Sequence, residues 1–118
     1  MKYALLIYGD EQVWSQMDEA AMREVYEGHM AYGRALTEAG VLVGGEELAP
    51  SHTATSLRFA NGKPSLVDGP FAEAREQLGG FYLIDVPDLD AALAWARRMP
   101  GMTAGTVEVR PVGMGTDS

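Results

Sequence analysis

Two segments of this sequence are apolar on both sides of a β-period, and they limit the architecture more than anything else in it. Tyr3, Leu5 and Ile7 alternate with Ala4, Leu6 and Tyr8, and the run from Phe81 to Val86 repeats the pattern. Successive side chains of a strand point to opposite faces, so each segment belongs in the middle of a sheet covered on both sides. The rest of the chain supplies helices for one side only.

The first helix signal is Ser15 with Asp18 three residues on and Glu19 behind it, acids set against the positive end of the helix dipole. This helix runs to Gly40, a residue suited to the left-handed position after a helix, from which Val41 can fold back on the last turn. On a 100° wheel Met22, Val25, His29, Gly33 and Leu36 form the inward line, and Glu24, Glu27, Ala31, Arg34 and Glu38 the outward one. The second helix is capped by Asp88, carries the stripe Leu89, Ala92, Leu93 and Ala96, places Arg97 and Arg98 at its negative end and stops at Pro100. Between the helices lie a short strand at Val41–Val43 and a hairpin. The hairpin pairs Thr53–Phe59 with Ser65–Val67 through Asn61-Gly62, whose two residues tolerate the positive φ of a tight turn. Thr106–Val112 is the last strand, with Val107 and Val109 inward and Glu108 and Arg110 outward. Strand, helix, strands, helix, strand is an α+β, ferredoxin-like order, here with an extra hairpin. Two helices cover one face of such a sheet. The other face needs a cover as well, and the simplest is a second copy of the chain, so we expect a homodimer packed sheet to sheet.

Composition removes whole classes of chemistry. The 118 residues suit one domain, which we place at 1–113 with a loose tail at 114–118. Cysteine is absent, which excludes disulfides, thiolate metal sites and cysteine nucleophiles, and two histidines cannot make a three-histidine metal site. Nine basic against 17 acidic residues give net −8, a field that repels phosphate backbones, so no nucleic-acid partner is expected. No apolar run approaches the roughly 20 residues of a membrane span, and residues 1–8 are too short for a signal peptide; we expect no membrane partner and a cytoplasmic location. The Gly-Gly pairs at 44–45 and 79–80 lack dinucleotide-loop or P-loop spacing, and no Gly-x-Ser-x-Gly elbow exists. Adjacent Glu46 and Glu47 diverge and make a poor metal site, so no metal or other cofactor is expected.

What chemistry remains centres on His29. It sits on the inward line of the long helix between Tyr26 and Tyr32, with Gly28 and Gly33 removing side chains beside it. Each glycine costs a helix about 1 kcal/mol relative to alanine, which points to close approach or a ligand cavity. An imidazole there can serve as a general base, or it can be a core histidine satisfied by one carbonyl. Its own helix offers no carboxylate at i±3 or i±4, so an acidic partner comes from elsewhere. Asp68, in a Gly-Pro turn after the hairpin, is the candidate; the competing role is to hold its own turn.

The run Asp68-Gly69-Pro70-Phe71-Ala72-Glu73, continuing through Gln77-Leu78-Gly79-Gly80-Phe81-Tyr82, resembles the DGPF group of the YCII-related (YciI-like) family. Ala39-Gly40-Val41-Leu42, Asp88-Leu89-Asp90-Ala91-Ala92 and Val107-Glu108-Val109-Arg110-Pro111 share in the resemblance, which covers nearly the whole chain. It implies a dimeric α/β-barrel of ferredoxin-like protomers. It also implies a link to sigma-factor regulation, because genes of similar proteins often neighbour extracytoplasmic-function sigma factors. Distant members resembling dehydrochlorinases and lyases carry a histidine–aspartate pair, and the His-Met-x-x-x-x-x-Leu run places that histidine at His29. The expectation is a cofactor-free lyase or isomerase acting on a small cyclic or phenolic metabolite. His29 would be its base, Asp68 the acid or orienting partner, and Tyr26 and Tyr32 would bind substrate. The alternative is a non-catalytic dimeric module for a metabolite or a sigma-factor-related regulatory partner.

Overall fold

The two doubly apolar segments take the two central places of a four-stranded antiparallel sheet. β1 (Lys2–Gly9) lies between β5 (Gln77–Asp85) and β6 (Thr106–Pro111), and β2 (Leu42–Glu47) completes the order β2-β5-β1-β6. A computed structural model describes residues 1–70 and 74–113; Phe71, Ala72 and Glu73 of the DGPF run and the tail at 114–118 lie outside the described residues. The long helix α2 (Glu19–Glu38) and the shorter α3 (Leu89–Arg97) cover one face of the sheet, an α+β arrangement compatible with the ferredoxin-like expectation.

The register sorts the side chains. Tyr3, Leu5 and Ile7 stand opposite Ile84, Tyr82 and Gly80 on β5 and opposite Pro111, Val109 and Val107 on β6, all toward the helices. With Tyr32, Leu36, Ala92, Val86 and Met99 they form the core, in which Leu5, Leu36 and Ile84 are wholly enclosed. The other face carries Ala4, Leu6 and Tyr8 against Leu83, Phe81 and Leu78 on β5. Along β6 that face turns polar, with Thr106, Glu108 and Arg110 opposite Tyr8, Leu6 and Ala4. Tyr8 donates to Glu108 at 3.2 Å, and Arg110 ion-pairs with the same carboxylate.

Three local expectations are corrected. Ser15 does not start the long helix but ends a separate short one, α1 (Glu11–Ser15), capped by Asp10, which accepts from the Gln12 N–H. Asp18 caps α2 instead, accepting from the Ala21 N–H at 2.8 Å. α2 is rolled by roughly 40° about its axis relative to the inward line read from the wheel. Ala21, Val25 and Tyr32 turn inward, while Met22 is exposed and Gly33 faces open space. On α3, likewise, Leu89 is exposed while Trp95 and Ala96 pack inward with Ala92, and Met99 just beyond the helix joins them. The end of α2 is as expected: Gly40 is left-handed, and its N–H and that of Val41 return to the Thr37 and Leu36 carbonyls.

The Gly-Gly pairs lie inside strands. Three of the four, Gly45, Gly79 and Gly80, stand where the backbones and one ring come too close for a Cβ. A Cβ on Gly45 would lie 2.6 Å from the Phe81 carbonyl, one on Gly80 2.9 Å from the Glu46 carbonyl. Gly79 is the extra residue of a bulge between Ile7 and Tyr8, and its Cβ would meet the Trp14 ring at 2.7 Å. The indole of α1 thus packs directly against bare backbone at Gly9 and Gly79.

The hairpin of β3 (Thr55–Ala60) and β4 (Lys63–Asp68) forms a sheet of its own. Asn61 and Gly62 turn it with φ of 54° and 77°, as the tight-turn reading requires. The two strands pack on each other and only sparsely on anything else, so the hairpin stands out as an arm. The radius of gyration accordingly reaches 16.1 Å, against about 13.5 Å for a compact chain of this length. At its root the Glu11 carboxylate accepts from the N–H and the hydroxyl of Ser51, at 2.8 and 2.6 Å.

Gly79→Ala should destabilise the protein by about 1–3 kcal/mol in denaturant melts and shift the tryptophan fluorescence, because the indole must move off the strand. Gly44→Ala is the control. Its Cβ meets nothing within 4 Å, and its cost should stay within about 0.5 kcal/mol.

Candidate active site

The bare strand edges, the Trp14 ring and one side of α2 enclose a cavity of about 370 Å³. Gly45, Gly79 and Gly80 form its side-chain-free wall, and Ile7 and Trp14 add apolar surface. Tyr26 and Met30 of α2, both exposed, stand at its mouth; Glu46 and Glu47 also line it, and the register, which pairs Glu47 with Gly80 and Glu46 with Phe81, turns the Glu47 carboxylate to the His29 side and the Glu46 carboxylate to the other face. His29 and Tyr82 add an imidazole and a phenol to it.

His29 Nδ1 and the Tyr82 hydroxyl are 2.7 Å apart, and the two rings lie nearly parallel at 5.9 Å between centroids. Tyr82 projects from a central strand toward the helices, where its phenol needs a partner, and one turn of α2 brings the imidazole to it. Behind Tyr82 its ring meets the edge of Tyr32 at 5.1 Å, and Tyr32 meets Trp95 at 6.0 Å. The guanidinium of Arg98 closes the row over the Trp95 ring at 4.3 Å. This row of rings ties α2, β5 and α3 together and leaves Tyr82 little freedom.

Burial sets the protonation state. It lowers the His29 pKa, and the nearby Glu47 carboxylate offsets that only in part, so the imidazole is neutral at pH 7. Burial raises the Tyr82 pKa, and that of Tyr32 to about 12, so both phenols keep their protons. Among the described residues the second ring nitrogen, Nε2, has no protein partner. A neutral imidazole with one nitrogen fixed by a phenol and the other free can take a proton from a bound molecule or hand one to it.

The residues singled out from sequence divide. His29 and Tyr26 line the cavity; Tyr32 and Asp68 do not. Tyr32 is buried behind Tyr82 and its hydroxyl is committed to the Trp95 carbonyl at 2.6 Å. Asp68 is exposed at the end of β4, opposite Thr55. The turn after it is held, among the described residues, by the Gly69 N–H on the Ala54 carbonyl and by Ser56 on the Gly69 carbonyl. Of the helix glycines, Gly28 serves close approach, with Pro100 3.0 Å from its would-be Cβ, whereas Gly33 meets nothing. Trp14, Glu47 and Tyr82 were not singled out as site residues. A hydroxyl in an otherwise apolar central strand was the one signal in the sequence for Tyr82. Among the described residues no group of three His, Asp or Glu side chains could hold a metal ion.

The comparisons agree with the family resemblance. An uncharacterised protein of Rhizobium meliloti (strain 1021), R00369, is 43% identical over 120 residues, covering 97% of this chain and 94% of that protein. A family model described as YCII-related domain matches residues 1–114. With the match running from the first strand to just past the last, the chain belongs to the YCII-related family.

Proposed function

We propose that the protein is a cofactor-free lyase or isomerase acting on a small cyclic or phenolic metabolite, with His29 as its base. The observation that carries this reading is a neutral imidazole, pinned by Tyr82, with its other nitrogen free beside a cavity of about 370 Å³. That volume takes one small ring compound. The Trp14 and Tyr26 rings and the bare Gly45–Gly80 wall suit a flat face, and Glu47 suits a hydroxyl or ammonium donor on its rim. His29 would remove a proton from an acidic C–H or O–H. The imidazolium so formed would be stabilised by Glu47 and by the lone pair of the Tyr82 oxygen. In this scheme Tyr82 takes the orienting role that the sequence assigned to Asp68.

A second reading, a binding module without turnover, is favoured by one observation. Among the described residues no carboxylate is hydrogen-bonded to His29, so the ring lacks the partner that most strongly raises a histidine's basicity. The two readings separate in a single experiment. Small phenols and cyclic acids are screened by protein NMR for binding, and the compounds that bind are followed for chemical change. Under the enzyme reading a bound compound is converted by the wild type and at least 100-fold more slowly by His29→Gln, which keeps the fold. Binding without conversion by either protein would leave only the module.

The lowered His29 pKa also fixes a pH dependence. Protonating the ring is harder in the folded than in the unfolded chain, so this contribution to stability is complete above about pH 6.5 and shrinks as the pH falls toward the lowered folded value. Turnover, if His29 is the base, falls along the same acid limb. In an NMR titration the His29 midpoint should lie below 6.5, and His29→Gln should flatten the stability profile in that window.

We also infer that the open sheet face is covered by a second copy, as in a dimeric α/β-barrel. Its support is the half-buried row Ala4, Leu6, Phe81 and Leu83, which no element of the same chain covers among the described residues. Light scattering at micromolar concentration should give twice the chain mass. Leu6→Glu, an unpaired charge on that row, should weaken the association by several kcal/mol; an unchanged dimer would rule this face out.

A further inference from the structure

The Tyr82 hydroxyl offers the cavity more than a pin for the imidazole. Among the described residues its oxygen makes one hydrogen bond, to His29 Nδ1 at 2.7 Å, and His29 Nε2 makes none. A phenol has one proton to give and lone pairs to offer, and a neutral imidazole carries its proton on one nitrogen or the other. The bond between them therefore has two forms. In one, Tyr82 donates to Nδ1, and the cavity meets an Nε2–H donor beside an open phenol lone pair. In the other, Nδ1–H donates to Tyr82, and the cavity meets an Nε2 lone pair beside a free phenol O–H. Each form presents one donor and one acceptor, and the two differ only in where the protons sit. Both side chains line the same cavity, where one ligand can touch both.

We propose that His29 and Tyr82 act as one proton relay, with Tyr82 a catalytic acid in its own right, and that the site moves the double bond of a small cyclic ketone into conjugation with its carbonyl. This rests on the reading of His29 as a base and names the substrate class of that same site. The ketone oxygen accepts from the Tyr82 O–H, and the C–H between the carbonyl and the double bond faces Nε2. The phenol oxygen and Nε2 are parted by one hydrogen bond and the width of the imidazole, a gap that an O=C–C–H unit bridges. In the first step Nε2 takes the carbon-bound proton, and the C–H electron pair becomes a new C=C bond. The carbonyl π pair moves to oxygen, which takes the Tyr82 proton, and Tyr82 takes the proton of Nδ1. The ligand is now a dienol, and His29 is the other tautomer. In the second step Nε2–H gives its proton to the far carbon of the dienol. The enol O–H returns its proton to Tyr82, and Tyr82 returns its own to Nδ1. The C=O bond reforms with the double bond beside it, and atoms and charges balance without a co-reactant.

The surroundings suit a relay of this kind. Burial keeps His29 unprotonated and Tyr82 protonated, and the relay leaves neither of them an ion. Among the described residues no carboxylate is hydrogen-bonded to His29, and none is needed when the Nδ1 proton passes on to Tyr82. The edge contact with Tyr32 at 5.1 Å holds the Tyr82 ring, so its oxygen keeps its place while its proton moves. The bare Gly45–Gly80 wall and the Trp14 ring give a flat ligand a face to lie on.

The probe is cyclohex-3-enone, whose isomerisation to cyclohex-2-enone is followed by NMR with enzyme in excess, so that product release does not mask the chemistry. The wild type should convert it, and Tyr82→Phe and His29→Gln should each convert it about 100-fold more slowly or worse. Tyr82→Phe keeps the ring and its contact with Tyr32, and circular dichroism checks the fold of both variants. A second measurement needs no variant. The relay moves the O–H and N–H protons together, so the wild-type rate should fall along a curve as D2O replaces H2O. A base acting alone moves one exchangeable proton at most and gives a straight line or no change. A straight or flat line, or Tyr82→Phe turnover within about tenfold of the wild type, overturns the relay and leaves His29 a lone base. Failure of the wild type to convert the ketone overturns the relay and its substrate class, while the screen of phenols and cyclic acids judges His29 separately.

Discussion

The edge-on contact of Tyr32 with Tyr82 joins the three elements on which everything else rests. Tyr32 belongs to α2 and hydrogen-bonds a carbonyl of α3, while Tyr82 belongs to a central strand. One buried phenol therefore fixes the distance between the two helices and their height above the sheet. Tyr82, held from behind, can present its own hydroxyl forward to His29 at a settled place. Aromatic pairs of this kind contribute about 0.5–1.5 kcal/mol beyond the area they bury. Their greater value here is directional, since a ring with an edge contact behind and a hydrogen bond in front has few rotamers left.

The cavity follows from what the strands omit. Glycines at 45, 79 and 80 weaken two strands, yet any side chain there would collide with a carbonyl or with the Trp14 ring. The same omission that lets backbones and indole approach leaves a smooth wall beside the imidazole. Structure and site therefore place one demand on these positions, and a chain that filled them would lose both.

Much of the fold was legible because its signals are local. Asp88 and Gly40 sit where capping physics puts them, and Asn61-Gly62 makes the turn its φ values allow. The doubly apolar strands lie at the sheet centre. What failed was decided by contacts far apart in sequence. The wheel located the apolar side of α2 but not its rotation, because the core contacts of Tyr32 and the Tyr82 bond to His29 turn the helix so that Met22 faces water. The helix α1 is only five residues long, too short for any periodicity to show. In the site His29 was visible as a polar residue on an apolar line, whereas its partner lies 53 residues away. Glu47 and Trp14 reach the cavity only through strand register and the turn after β1.

A protein with helices on one face of its sheet has surface to dispose of, and here that surface is divided. The apolar row of β1 and β5 lies flat and half-buried, while the apolar row of the arm is carried clear of the body on a ribbon whose charged residues are Arg58, Lys63 and Asp68. Two copies repel through their net charge of −8, so association through the flat row must overcome that field by burial alone.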